Sequence, residues 1–130
     1  MRYLGIDYGS KRVGVAISDE SNKFALPKIV IENKNPAKLI DDLNIIICDN
    51  EVGYIILGES KDYKGIDNKI MRDIRKFKED LENTLHLPVI FEPEFMTSHA
   101  AERFQGKNEF HDASAAALIL QSYLDRASQK

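Results

Sequence analysis

The stretch RYLGIDYGSKRVGVAIS, Arg2 to Ser18, decides the fold. It holds two strand-like runs, Arg2 to Ile6 and Val13 to Ser18. Period-two alternation puts Tyr3, Gly5 and Asp7 on one side of the first run and Leu4 and Ile6 on the other. Val13, Val15 and Ile17 alternate on the second. The connection from Tyr8 to Arg12 is short enough for an antiparallel hairpin. Asp7 therefore stands where a sheet opens to solvent. An unpaired carboxylate is costly to bury, so Asp7 is either a turn former or a working group.

Working outward, Lys28 to Glu32 predicts a third strand. Asn35-Pro36 reads as a helix N-cap followed by proline in the first turn, and Leu39, Ile40, Leu43, Ile46 and Ile47 follow at helical spacing. Tyr54 to Leu57, ending in Gly58, is a buried strand candidate. A helix from about Ile66 to Thr84 carries the apolar stripe Ile66, Ile70, Ile74, Phe77, Leu81. Pro88 precedes a strand from Val89 to Glu92. Thr97 or Ser98 caps a short helix through Phe104. The last helix runs from about Asp112 to Asp125, with Ala113, Ala116, Leu120 and Tyr123 turned to the core. The order β-β-β-α-β-α-β-α-α predicts an α/β fold in which an antiparallel start joins parallel strands. Residues 1–130 read as a single domain, with no repeat and no linker.

Composition narrows the function classes. The chain has 130 residues, 43% hydrophobic and 30% charged, which suits a globular protein with a real core. Its net charge of −3 demands no polyanionic partner. Cys48 is the only cysteine, so an internal disulfide is impossible. No apolar run approaches the roughly 20 residues needed to cross a bilayer, and the start has no signal-peptide core. The expectation is a cytoplasmic protein without a membrane partner.

Chain order also suggests where acids gather. With the first strand central, the strands before Gly58 and after Pro88 lie parallel to it, and all three C-terminal ends share one edge, where open α/β sheets place ligands. Asp7 ends one strand, Glu92 and Glu94 follow another, and Asp112 opens the last helix. Clustered carboxylates repel unless protons or cations intervene. Magnesium is bound by a few acids together with substrate phosphates, and a pair of such ions serves phosphodiester hydrolysis. Each acid also has a plainer reading: Asp7 as a turn residue, Asp112 as an N-cap, Glu92 and Glu94 as solvated loop acids around Pro93. His99 and His111 have no metal-ligand spacing with Cys48. The basic run from Lys61 to Lys78 touches phosphates or is the wet face of a helix.

GIDYGSKRVGVAISD, Gly5 to Asp19, resembles the opening signature of the YqgF/RuvX family, small RNase H-like proteins related in fold to the resolvase RuvC. HDASAAALILQSYLD, His111 to Asp125, resembles the family's closing helix, and YIILGE and LPVIFEPEFMTSHAAE resemble the segments between. The resemblance covers nearly the whole chain. It implies an RNase H-like fold with a five-stranded mixed sheet, three antiparallel strands and then two parallel, flanked by helices. It places the family's acidic triad on Asp7, Glu94 and Asp112, as catalytic residues and ligands of magnesium or manganese. Glu94 matches better than Glu92 because Thr97 and Ser98 follow it as the family's paired hydroxyl residues. Phe95 stands where the family usually has Arg.

The resemblance implies a metal-dependent endonuclease for structured RNA, acting in maturation of the 5′ end of 16S rRNA. Lys11 and Arg12, in the turn beside Asp7, are the candidate phosphate contacts. Alternatives are a branched-DNA nuclease of Holliday-junction type, a catalytically weak nucleic-acid-binding factor, and a sugar-kinase or actin-like ATPase. The last requires two such domains and a cleft. The expected state is a monomer or weak homodimer.

Overall fold

The computed structural model describes residues 1–59, 69–93 and 109–128; for 69, 109–112 and 128 the description covers the backbone alone. Five strands and three helices follow in chain order: β1 Arg2–Tyr8, β2 Arg12–Ser18, β3 Ala25–Glu32, α1 Pro36–Asn50, β4 Val52–Glu59, α2 Lys69–Leu85, β5 Val89–Pro93 and α3 Glu109–Ser128. The expected short helix from Thr97 or Ser98 lies outside the described residues, as does Ile66.

The strands form one sheet in the order β3-β2-β1-β4-β5. The pairs β1/β2 and β2/β3 are antiparallel. The pairs β1/β4 and β4/β5 are parallel. This is the mixed sheet that the sequence predicts, with β1 at its centre. A central strand must be buried on both faces, and β1 satisfies this with opposite sets of side chains. Leu4 and Ile6 are fully buried in a large core with Val13, Val15, Leu43, Ile55, Leu57, Ile74 and Leu81. That core lies under α1 and α2. On the other face Ala16, Ile56, Ala116, Ile119, Leu120 and Leu124 form a second, smaller core under α3.

Local chemistry explains the element ends. The Asn35 side chain accepts from the Ala37 amide at 2.9 Å, and Pro36 sits in the first turn of α1, as the dipeptide predicts. α1 ends at Glu51 in the left-handed region, φ 54°, where its N–H returns to the Ile47 carbonyl. In α2, Met71, Ile74, Phe77 and Leu81 are buried, the 3.6-residue stripe that drives an amphipathic helix onto a sheet.

Several boundaries differ from the sequence reading, three of them with a clear physical reason or a bearing on the site. β1 continues through Asp7 to Tyr8, because Asp7 and Tyr8 still pair with Gly14 and Val13. β3 begins at Ala25 rather than Lys28. Its register slips between Val15/Ile29 and Ala16/Pro27, which leaves Lys28 as an extra residue. Such a bulge breaks alternation, so the pattern of the first half of β3 is not readable as a strand. α3 begins at Glu109, so Asp112 lies inside its first turn instead of opening it. No helix among the described residues is long and apolar enough to cross a membrane.

Candidate active site

Asp7 occupies the C-terminal end of the central strand, half-buried, on the face covered by α3. The residues beside it are glycines. Gly14 is its partner on β2. One step beyond the Ile6/Leu57 pair, Gly58 of β4 comes alongside on the other flank. Paired residues of a sheet point to the same face, so neither neighbour sets a side chain against the Asp7 carboxylate. Sequence reading treated Gly58 as the end of a strand; its place beside Asp7 depends on the β1/β4 register.

The same face shows how α3 lies against β1. The Tyr3 ring meets the Tyr123 ring at 5.7 Å between centroids. Two residues further, Gly5 sits under Ala116 and Leu120. The helix thus runs opposite to the strand. Two more strand residues to Asp7 advance about 6.6 Å. That matches about four helix residues at 1.5 Å each, which from Ala116 arrives at Asp112. Asp112 stands one helical turn before Ala116, on the far side of the Gly5 contact from Tyr123. The Asp112 side chain and all of Glu94 lie outside the described residues. Among the described residues no three acidic, histidine or cysteine side chains cluster as a metal site.

Glu92 has a different use. It aligns with Gly58 on the neighbouring strand, so it shares a row with Asp7, two strand spacings or roughly 10 Å away. Its side chain is only 3% exposed. Ser122 donates to Oε2 at 2.9 Å, and Arg126 forms an ion pair with Oε1. Both carboxylate oxygens are thus occupied by side chains one helical turn apart on α3. A buried carboxylate needs this pairing to offset its lost hydration. Glu92 fastens β5 to α3. Sequence reading missed this role. The available signal was the i,i+4 spacing of Ser122 and Arg126, which names no partner by itself.

The turn beyond Asp7 is also held from a distance. A Cβ on Gly9 would lie 2.5 Å from the Arg12 carbonyl oxygen, so only glycine fits this tight turn. Asn33, just past β3, donates its side-chain amide to the Gly9 carbonyl at 2.8 Å, and its backbone amide bonds the Lys11 carbonyl at 2.9 Å. The turn bearing Lys11 and Arg12 is therefore positioned from both β2 and β3. Lys11 is exposed and Arg12 half-buried at the start of β2. On the opposite face Tyr8 packs its ring on Phe77 of α2 at 4.8 Å, which fixes α2 against the same end of β1.

Comparison with known proteins adds four findings. The model of the RuvX family, described as Holliday junction resolvase, matches residues 1–126. A protein of Maridesulfovibrio salexigens, named as a proposed pre-16S rRNA nuclease, is 36% identical over 137 residues, which cover 98% of this chain and 100% of that one. RuvC of Thermus thermophilus, solved in complex with a Holliday junction substrate, superposes with a TM-score of 0.65 at 13% identity, covering 98% of this chain and 96% of that one. A ROK hexokinase of Thermus thermophilus reaches a TM-score of 0.52 at 20% identity, covering 82% of this chain but 38% of that one.

Proposed function

The chain belongs to the RuvX family, and on that premise we propose that it is a divalent-metal-dependent nuclease, cutting phosphodiester bonds in structured RNA at the 5′ end of pre-16S rRNA. The observation that carries the reading is Asp7: a carboxylate at the C-terminal end of the central strand, with glycine on either side of it. Such a row leaves lateral space for a phosphate group, and ligands of α/β sheets bind at this edge.

The acids in this reading are Asp7, Glu94 and Asp112. The occupation of Glu92 by Ser122 and Arg126 supports Glu94 as the partner from the β5 segment. A set of carboxylate oxygens suits magnesium or manganese, which prefer hard oxygen donors. Bound there, the metal supplies an activated water and compensates charge on the leaving oxygen. Asp7 holds its place because β1 is paired on both sides. Lys11 and Arg12 position a backbone phosphate without reading sequence.

Structured RNA is favoured over branched DNA because the rRNA-named relatives match over the full chain at more than 30% identity. The likeness to the junction-bound RuvC is one of fold. The kinase alternative is disfavoured because the chain spans well under half of the hexokinase. The test is cleavage by wild type and Asp7→Asn of precursor rRNA, branched DNA and single strands, with magnesium or manganese. Cleavage of precursor rRNA that Asp7→Asn abolishes is the expected result. Equal inactivity of both proteins on every substrate would favour a binding factor instead.

A further inference from the structure

The charges of α2 are arranged against its own dipole. Among residues 69–77 stand Lys69, Arg72, Arg75 and Lys76 against Asp73, whereas 78–85 holds Glu79, Asp80 and Glu82 against Lys78. Among the described residues the first turn contains no acid and the last turn no base. A helix is stabilised by the reverse order, acids at its start and bases at its end.

The position of this basic half is informative. α2 follows β4 and returns to the start of β5, which aligns with the middle of β4 through Ile55 and Val89. Its N-terminal half therefore lies at the sheet edge that bears Asp7. The Phe77 ring on Tyr8 fixes the level. The eight residues before Phe77 extend about 12 Å along the helix from that contact. Met71 and Ile74 face the core, while Arg72, Arg75 and Lys76 are exposed. Arg72 and Lys76 are one turn apart and adjoin on the helix surface. Arg72 makes no ion pair among the described residues. Lys76 pairs with Asp80 at 3.7 Å with its own side chain 78% exposed, a contact that a phosphate can displace.

We propose that Arg72 and Lys76, with Arg75 beside them, form a rail that binds the phosphate backbone of a nucleic-acid helix at the sheet edge that bears Asp7. This deepens the nuclease reading and rests on it. In a chain of net charge −3, such a rail concentrates positive charge where a polyanion must approach, and basic side chains on a helix face hold a backbone without reading its sequence.

The test compares wild type, the double variant Arg72→Ala/Lys76→Ala, and Lys23→Ala as a control at the opposite end of the sheet. Binding of a labelled RNA hairpin is measured by fluorescence anisotropy across a salt series without added divalent metal. Losing two phosphate contacts should make the slope of log K against log salt shallower by about 1.4–1.8. That weakens binding roughly 25- to 60-fold at 0.1 M salt. Lys23→Ala should leave the slope as it is, and Arg72→Lys/Lys76→Ala, which keeps one of the two charges, should restore about half of the change in slope. The thermal midpoint of the double variant should stay level or rise, since charges opposed to the dipole are removed. A wild-type slope in the double variant overturns the rail and leaves the nuclease reading standing. An equal loss in Lys23→Ala, or a lowered midpoint, overturns it as a net-charge or folding effect. Wild type that neither binds nor cleaves RNA overturns both.

Discussion

Gly5→Ala is the substitution that best connects packing to chemistry here. An added Cβ at Gly5 would stand 2.7 Å from the Leu120 Cβ and 3.0 Å from the Ala116 carbonyl oxygen. Non-bonded carbons settle at about 3.5–4.0 Å, so β1 and α3 must separate by roughly 1 Å. Rotamer changes cannot relieve the contact, because a Cβ and a carbonyl are fixed to the backbone. Overpacking of this kind costs about 1–3 kcal/mol. Replacing a strand glycine by alanine recovers about 0.5–1 kcal/mol of that. The net loss of about 1–2 kcal/mol should lower the midpoint by roughly 3–10 °C for a domain of this size. Activity should fall further. A displacement of about 1 Å between reacting groups costs on the order of 100-fold, and α3 carries Asp112. The assay is a thermal melt together with the cleavage rate at 25 °C, well below both midpoints, so that loss of folded protein does not enter. An unchanged midpoint would refute the packing argument. A lowered midpoint with a wild-type rate would show that the seat of α3 on β1 does not set the site.

Asp7→Asn should abolish cleavage and keep or raise the thermal midpoint, because the amide preserves shape while removing one charge from the proposed acid cluster; a mutant that cleaves like wild type removes Asp7 from the mechanism. Arg126→Met should cost about 1–3 kcal/mol in a denaturant melt. Glu92 then keeps only Ser122, and the usual cost of orphaning a buried charge is discounted because the Arg126 side chain is 56% exposed. Adding Glu92→Gln should recover part of that loss; equal stability of all these proteins would argue against the fastening role. In the turn after β2, desolvation pushes the Asp19 carboxyl up, but hydrogen bonds from the Ser21 hydroxyl and the amides of Phe24, Lys23 and Asn22 outweigh it and hold the group below the ordinary aspartate value. Its contribution is complete above that value and lost as pH falls through the lower folded-state value. Asp19→Ala should therefore flatten the loss of stability below about pH 4, and an unaltered acid profile would count against it. Replacing both Lys11 and Arg12 by Ala should weaken RNA binding and its salt dependence; unchanged affinity and slope would mark them as plain turn residues.

What the sequence determined by itself is what depends on near neighbours. The β1/β2 hairpin follows from two alternating runs around a Gly-containing turn. The start of α1 follows from Asn35-Pro36, and the seat of α2 from an apolar stripe at 3.6-residue spacing. The central place of Asp7 was legible too, because a hairpin followed by alternating helices and strands leaves few ways to stack parallel strands on β1. The bulge at Lys28 hid the first half of β3, since one extra residue inverts the alternation that identifies a strand. Only the tertiary structure decided the surroundings of Asp7. Gly14 and Gly58 become its flanks through strand registers that join residues up to 51 positions apart. Gly5 is required by α3, more than 110 positions later. Glu92 read as a solvated loop acid and a rival to Glu94, and its structural role emerged only when Ser122 and Arg126 claimed both its oxygens. Pairings of this kind are set by how whole elements pack, and packing is a property of surfaces that no short window of the chain contains.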